Sequence, residues 1–322
     1  MKKILITGIT GQDGIFLTNL IKKQSPDAEI IGVSRNENHD IFYKKLISIE
    51  PVNTENITLL NLDLLNSDNV DKFIKQYSPN TVYNLSGPSS VYESLKNPFI
   101  EEQIKIIFNN LTSSLISSNN FCNFFQASSS EMFGNTSTEI LNENTDFSPN
   151  SPYALAKLNN HNLVKEYSSK YNWNIFSGIM FNHESRFRHE NYLIMKIITT
   201  ALQISSGKAD RLSVGSLDYQ RDWSFAGDVV SAIYKITNEG KSYSYVIGSG
   251  KAYSIKDILE IVFSQLGLEW SRYTDVDQNL LRKGDPKTVV ADTTKIRKEL
   301  DWSPTKSFKN TLLDLISYKV MN

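Results

Sequence analysis

Through the first half of the chain, apolar residues arrive in short runs separated by amphipathic stretches. Residues 3–7 (KILIT), 29–34 (EIIGVS), 56–63 (NITLLNLD), 80–86 (NTVYNLS), 123–128 (NFFQAS) and 174–180 (NIFSGIM) read as strands. These runs lack strict alternation, as expected of strands covered on both faces. Between them, residues 14–24, 66–77, 98–118 and 152–171 carry helical spacing. Strands alternating with helices predict an α/β fold, a Rossmann-type doubly wound parallel sheet with right-handed crossovers. Beyond about residue 181 the pattern loosens into short strands, loops and helices. Residues 1–181 are therefore expected to form a dinucleotide-binding domain, to which elements near 225–250 return. Residues 182–322 are expected to form mainly a smaller C-terminal α/β substrate domain. The long helices 98–118 and 152–171 are candidates for a dimer interface.

Composition narrows the classes. Among 322 residues, 40% are apolar and 21% charged, and the net charge of −1 offers no general attraction to nucleic acid or to an anionic membrane. No apolar run reaches the roughly 18 residues of a membrane span. The start MKKILITGITG reads as a first strand rather than a signal peptide, so a cytoplasmic protein is expected. One cysteine, Cys122, excludes an intrachain disulfide framework and a Cys-based zinc site; between Phe121 and Phe124 it reads as a buried thiol. His39, His161 and His189 are expected on loops or helix surfaces, and no metal site is expected.

The candidate chemistry sits at strand ends. KILITGITGQDG runs from a strand into Gly8, Gly11 and Gly14, with Gln12 and Asp13 between them, and then into a helix. Glycines there permit a tight turn and close approach of backbone to a pyrophosphate, and the helix N-terminus favours the anion. At the end of the second strand, an acidic residue holding the ribose 2′-hydroxyl would indicate NAD. This chain has Arg35, which favours NADP; the alternative is a solvated surface arginine. Asp63 is a candidate acceptor for the adenine amine, with Leu64 packing beneath it. Tyr153 and Lys157 are four apart and share a helix face. With Ser129 at the preceding strand end they suit oxidation of a carbinol, the neighbouring ammonium and a positive nicotinamide ring favouring the phenolate.

With TGITGQDG, the VYESLKNP pattern (Val91, Ser94, Pro98) and YALAK, the chain resembles the extended short-chain dehydrogenase/reductase family. QASSSEMFG, FNHES, LDYQRDWSFAGD and KELDWSP resemble its GDP-mannose 4,6-dehydratase branch. The resemblance implies tightly bound NADP, regenerated each cycle, and a GDP-sugar substrate. It implies oxidation at C4 by Ser129, Tyr153 and Lys157. Glu131 would then remove the C5 proton and assist loss of the C6 hydroxyl as water, before reduction at C6 completes the cycle. Ser86, Ser89, His183 and Arg188 match cofactor positions. Ser90, Ser130, Asn182 and Lys196 match sugar-nucleotide positions, and Arg221 and Arg282 would hold the diphosphate. Three departures bear on substrate and assembly: Pro88-Ser89-Ser90 replaces Gln-Ser-His, Arg35-Asn36 replaces an arginine pair, and Arg186-Phe187-Arg188-His189 replaces Pro-Arg-Arg-Gly. Mannose, N-acetylglucosamine and heptose therefore stay open as the sugar, and homodimer or homotetramer as the assembly. A nucleotide-sugar epimerase or reductase of the same family, or a non-catalytic NADP-sensing protein, are the alternatives.

Overall fold

The computed structural model describes residues 2–35, 39–97, 99–281 and 284–321. In chain order, the first strands are β1 (Lys3–Thr7), β2 (Glu29–Val33), β3 (Ile57–Leu60), β4 (Thr81–Asn84) and β5 (Asn123–Ser129). Between them lie helices α1 (Gln12–Gln24), α2 (His39–Ile49), α3 (Ser67–Tyr77), α4 (Val91–Lys96) and α5 (Phe99–Ser117). After β6 (Ile140–Leu141) come α6 (Pro152–Tyr171), β7 (Ile175–Met180), β8 (Asn182–Glu184) and α7 (Leu193–Ser205). The remainder comprises β9 (Leu212–Val214), β10 (Gln220–Phe225), α8 (Ala226–Glu239), β11 (Ser244–Ile247), β12 (Ala252–Ser254) and α9 (Ile255–Gln265). It closes with β13 (Thr274–Val276), β14 (Thr288–Ala291), α10 (Thr294–Leu300) and α11 (Phe308–Met321).

Seven strands form one sheet in the order β11-β7-β5-β4-β1-β2-β3, every neighbouring pair parallel. The order reverses at β1, so the carboxyl ends of β1 and β4 border the crevice where such sheets take ligands. Helices cover both faces, which explains the uninterrupted apolar runs: β4 is buried throughout and β5 from its second residue. A second, mixed sheet (β12-β10-β14-β6, with β8 also on β10) lies beyond the first. Its β8 continues directly from β7 across one residue, Phe181, so the two sheets meet beside the carboxyl end of β7. Ile194, Ile198, Leu259, Phe263, Phe308 and Leu312 form a separate core from α7, α9 and α11.

Three expectations are corrected here. The third strand stops at Leu60, short of residue 63. Residues 39–49, not expected to be helical, form α2, with only Phe42 and Leu46 buried. The helix expected over 98–118 is preceded by a separate short one, α4, because Asn97 takes an extended conformation before Pro98. Cys122 is buried, and burial pushes its thiol up to about 12. Among the described residues, no helix is long and apolar enough to cross a membrane, and no cluster of metal-ligating side chains occurs.

Candidate active site

The glycine turn is built as its spacing requires. Gly8 has φ +71°, and a Cβ there would stand 2.9 Å from the Leu85 carbonyl oxygen. A Cβ on Gly14 would fall 2.5 Å from the Ile9 backbone, so only glycine lets α1 pack this closely on the turn. Gly11 caps α1 without a side-chain acceptor, leaving the first-turn N–H groups facing outward. This cradle fits a dinucleotide pyrophosphate. Arg35 is exposed after β2. Leu64 is buried, whereas Asp63 is exposed and accepts the Leu65 N–H at 3.0 Å.

Two motifs far apart in the chain interlock at this turn. His183 on β8 donates from Nδ1 to the Phe181 carbonyl at 2.8 Å and meets the Asp13 carboxylate through Nε2 at 3.1 Å. Both ring nitrogens face acceptors, so the imidazolium suits the site. Burial opposes the charge on His183, but the Asp13 carboxylate outweighs it and raises the pKa. Burial likewise works to raise Asp13, yet His183, with help from Arg188 and Gln12, holds the carboxyl below its ordinary value. Gln12 adds Nε2 to the His183 carbonyl at 3.3 Å and accepts from Ser185 Oγ at 2.7 Å. The GQDG turn is thus bolted to the NHES strand, which accounts for the two motifs occurring together.

The candidate residues Ser129, Tyr153 and Lys157 converge from β5 and α6. Ser151 caps α6 and Pro152 opens it, placing Tyr153 in the first turn, its N–H on Ser94 Oγ at 3.3 Å. Tyr153 and Lys157 are buried. Lys157 Nζ donates to the Ala127 carbonyl at 2.8 Å, and Gln126 Nε2 shares that acceptor at 2.9 Å. Behind Gln126 runs a buried polar chain: Asn84 Nδ2 donates to its Oε1 at 2.7 Å, and Thr7 Oγ1 donates to Asn84 Oδ1 at 2.7 Å. The carboxyl ends of β1, β4 and β5 are therefore tied to Lys157. Burial lowers Lys157 to about 8. Burial also pushes the Tyr153 phenol above its ordinary value, opposed by a Ser129 hydrogen bond and by the charge of Arg188, while Glu131 pushes it further up. The expected depression by the neighbouring ammonium is not found: burial sets the direction, and Lys157 is not among the groups that lower Tyr153.

Immediately after Ser129 the chain makes a 3-10 turn, Ser130–Phe133, and the Glu131 N–H donates to Ser129 Oγ at 3.2 Å. Glu131 lines a cleft together with Ser130, Asn182 and Arg221. Arg221 enters it paired with Asp285 at 3.0 Å, so a diphosphate would have to draw the guanidinium from that carboxylate. Neighbouring Asp222 is buried and accepts from the N–H groups of Ser249, Gly250 and Ala291, fixing the strand that presents Arg221. Lys196 is exposed on α7 and does not line this cleft. Arg282 lies outside the described residues.

The loop after β4 holds its hydroxyls in protein contacts. Ser86 donates to Asn84 at 3.0 Å, Ser90 caps α4 by accepting the Glu93 N–H at 3.1 Å, and Ser89 meets the Tyr192 hydroxyl at 2.7 Å. Arg188 stacks on the Tyr192 ring at 3.5 Å and stands 3.7 Å from buried Glu184, whose carboxyl burial raises to about 7. Glu184 and Tyr192 were not singled out in the sequence, although each is four residues from Arg188. His161 is corrected from a surface position. It is buried on the inner face of α6, bonded through Nδ1 to Ser177 Oγ at 2.8 Å, and burial lowers it to about 4. His39 and His189 are exposed.

Known proteins resemble the chain over nearly its whole length. Residues 5–315 match the family model described as GDP-mannose 4,6 dehydratase. GDP-mannose 4,6 dehydratase 2 of Arabidopsis thaliana is 33% identical over 316 residues, covering 96% of this chain and 84% of the relative. GDP-mannose 4,6-dehydratase of Sinorhizobium fredii (strain HH103) is 30% identical over 346 residues, covering 98% of this chain and 95% of the relative. In fold the chain is similar to dTDP-glucose 4,6-dehydratase of Bacillus anthracis solved with NAD, at a TM-score of 0.84 and 20% identity, covering 100% of this chain and 97% of that one. The chain belongs to the GDP-mannose 4,6 dehydratase family.

Proposed function

We propose that the protein is an NADP-dependent GDP-sugar 4,6-dehydratase, converting a GDP-hexose of the mannose or N-acetylglucosamine type to the GDP-4-keto-6-deoxy sugar. The observation that carries this reading is the meeting of Glu131, Asn182 and Arg221 in one cleft, with Ser129 joining Glu131 to Tyr153. A bound NADP would supply the hydride acceptor for oxidation at C4 and the donor for reduction at C6. It would be held at the glycine cradle of Gly8, Gly11 and Gly14, beside Arg35, Lys157 and the His183–Asp13 pair. Tyr153 takes the proton of the 4-hydroxyl, with Ser129 bonding the same oxygen. A 4-keto group acidifies the C5 proton, which Glu131 removes before protonating the departing C6 hydroxyl, so that water leaves and the carboxylate is restored. As C6 is reduced, a solvent proton delivered by way of Glu131 returns to C5, and Tyr153 releases to solvent the proton it took. Arg221 offers a guanidinium fork to the diphosphate oxygens.

The first test is incubation with NADP⁺ and a panel of GDP-, UDP-, dTDP- and CDP-sugars, read by mass spectrometry. Loss of one water from a GDP-sugar is the expected result and names the sugar. Unchanged mass with altered stereochemistry by NMR would make the protein an epimerase and Glu131 a bystander. Cofactor choice is tested separately. Arg35→Ala is expected to weaken NADP⁺ binding about tenfold or more, the effect of losing roughly 1.4 kcal/mol at a phosphate, with NAD⁺ affinity unchanged by calorimetry. An unaltered NADP⁺ to NAD⁺ ratio would return Arg35 to a solvated surface residue. The exposed Tyr92, Leu95, Phe99 and Leu155, on α4 and the starts of α5 and α6, support a homodimer or homotetramer that covers them.

A further inference from the structure

Three contacts join three segments of chain into a ring at the glycine turn. The loop after β4 lies against the turn itself. Leu85 N–H donates to the Thr7 carbonyl at 3.3 Å, and a Cβ on Gly8 would stand 3.0 Å from Ser86 Cα. On the other side, Asp13 and Gln12 hold His183 and Ser185 of the segment that runs from β8 to α7. That segment folds through two turns, Arg188 N–H donating to the Ser185 carbonyl at 3.0 Å and Tyr192 N–H to the His189 carbonyl at 3.2 Å. Tyr192 then faces the loop after β4, and its hydroxyl meets Ser89 Oγ at 2.7 Å. The two flanks are thus fixed on the glycine turn at their near ends and joined to each other at their far ends.

The fold is secured without the third contact. The loop is anchored on both sides of Ser89, by Leu85 on Thr7 and by Ser90, which caps α4. Tyr192 is placed by its own backbone and by Arg188, whose guanidinium stacks on its ring at 3.5 Å. Ser89 is exposed and Tyr192 half-buried, so water would serve both hydroxyls if the bond were broken, and the bond adds little to stability. Its position gives it another use. The sheet order β5-β4-β1 puts the carboxyl end of β4 between the glycine turn and Lys157, which is held at β5. Tyr153 N–H in turn rests on Ser94 of α4, just beyond the same loop. A dinucleotide reaching from the turn to Tyr153 and Lys157 therefore crosses the end of β4, where the loop carrying Ser89 begins.

We propose that the Ser89–Tyr192 bond is a clasp that closes over the nicotinamide half of the bound cofactor and slows its release. The inference rests on the reaction given under the proposed function, in which a cofactor reduced at C4 has to stay in place until C6 is reduced. The test is the release rate of reduced cofactor, measured without any sugar. The protein is loaded with NADPH, or with NADH, and chased with excess oxidised cofactor while the fluorescence of the bound form is followed by stopped flow. Tyr192→Phe keeps the ring and its stack on Arg188 and removes only the hydroxyl. Release should quicken about threefold to tenfold, the worth of one neutral hydrogen bond. In the Ser89→Ala background, Tyr192→Phe should add nothing, because its partner is already gone. Release from Tyr192→Phe at the wild-type rate or slower overturns the proposal. So does an equal acceleration by Tyr192→Phe in both backgrounds, since the hydroxyl would then act without Ser89. Neither result touches the dehydratase reading, which fails separately if no sugar loses water. A protein that binds neither reduced cofactor overturns both.

Discussion

Glu131→Gln is expected to stop the reaction after the first oxidation. The amide matches the carboxylate in size, and the contact that sets the turn, the Glu131 N–H on Ser129 Oγ at 3.2 Å, belongs to the backbone and survives. Ser129, Tyr153 and Lys157 are untouched, so C4 should still be oxidised, seen as enzyme-bound reduced cofactor absorbance in a single turnover. Removal of the C5 proton loses its base, and the departing hydroxyl loses its acid. Each role is worth about 10²–10⁴ in rate, so formation of the 6-deoxy product should fall by at least that factor. The paired measurement is cofactor absorbance and product mass on the same sample. Normal loss of water by the mutant would remove Glu131 from the mechanism.

Lys157→Met should abolish activity and stabilise the fold at neutral pH. Lys157 is buried, and burial lowers its pKa from the ordinary 10.5 to about 8. Between those values the unfolded chain binds a proton that the folded protein does not, so stability rises with pH across that window. Below pH 8 the folded state carries the whole cost of a buried charge, which for this depression is about 3 kcal/mol. Methionine fills the same volume with an unbranched apolar chain. The Ala127 carbonyl is not orphaned, because Gln126 Nε2 still donates to it at 2.9 Å. Denaturant unfolding at pH 7 should therefore show the mutant more stable by about 1–3 kcal/mol, the difference shrinking as pH rises from 8 toward 10.5. A mutant less stable than wild type at pH 7 would mean that the lysine's hydrogen bond outweighs its desolvation. The expected loss of activity, about 10²-fold or more, reflects an ammonium that is kept in the core for chemistry at a cost in stability.

Elements whose signals are local were read closely. The first strand and α6 have the boundaries expected of them, and the turn carrying Gly8, Gly11 and Gly14 has the positive φ at Gly8 and the close approach at Gly14 that glycine permits. The second half of the chain resisted the same treatment. Strands such as β8, β9 and β12 span three residues each, too few for a period to show. α2 leaves little periodic signal because it buries only two side chains and exposes Ile41 and Ile47 to solvent, so its apolar positions trace no clean stripe. His161 was misplaced for the opposite reason. The buried positions of α6 mix polar Tyr153, Lys157, Asn160 and His161 with Ala154, Ala156 and Val164, so no clean apolar stripe marks the face that periodicity would detect.

What the order of residues established was therefore chemistry carried within a few positions: a glycine turn before a helix, a tyrosine and lysine one helical turn apart, and a carboxylate two residues after a serine at a strand end. The folded chain alone fixed which distant groups meet and in what state of charge. Asp13 finds His183 across 170 positions, Ser89 finds Tyr192 across 103, and Arg221 finds Asp285 only because β10 and the segment before β14 lie side by side. The sign of each titration follows from that packing. Tyr153 is pushed up although a lysine stands one turn away, and His183 is raised by Asp13 although it is buried. Desolvation and long-range pairing depend on what surrounds a side chain in space, and no spacing along the chain encodes that surrounding directly.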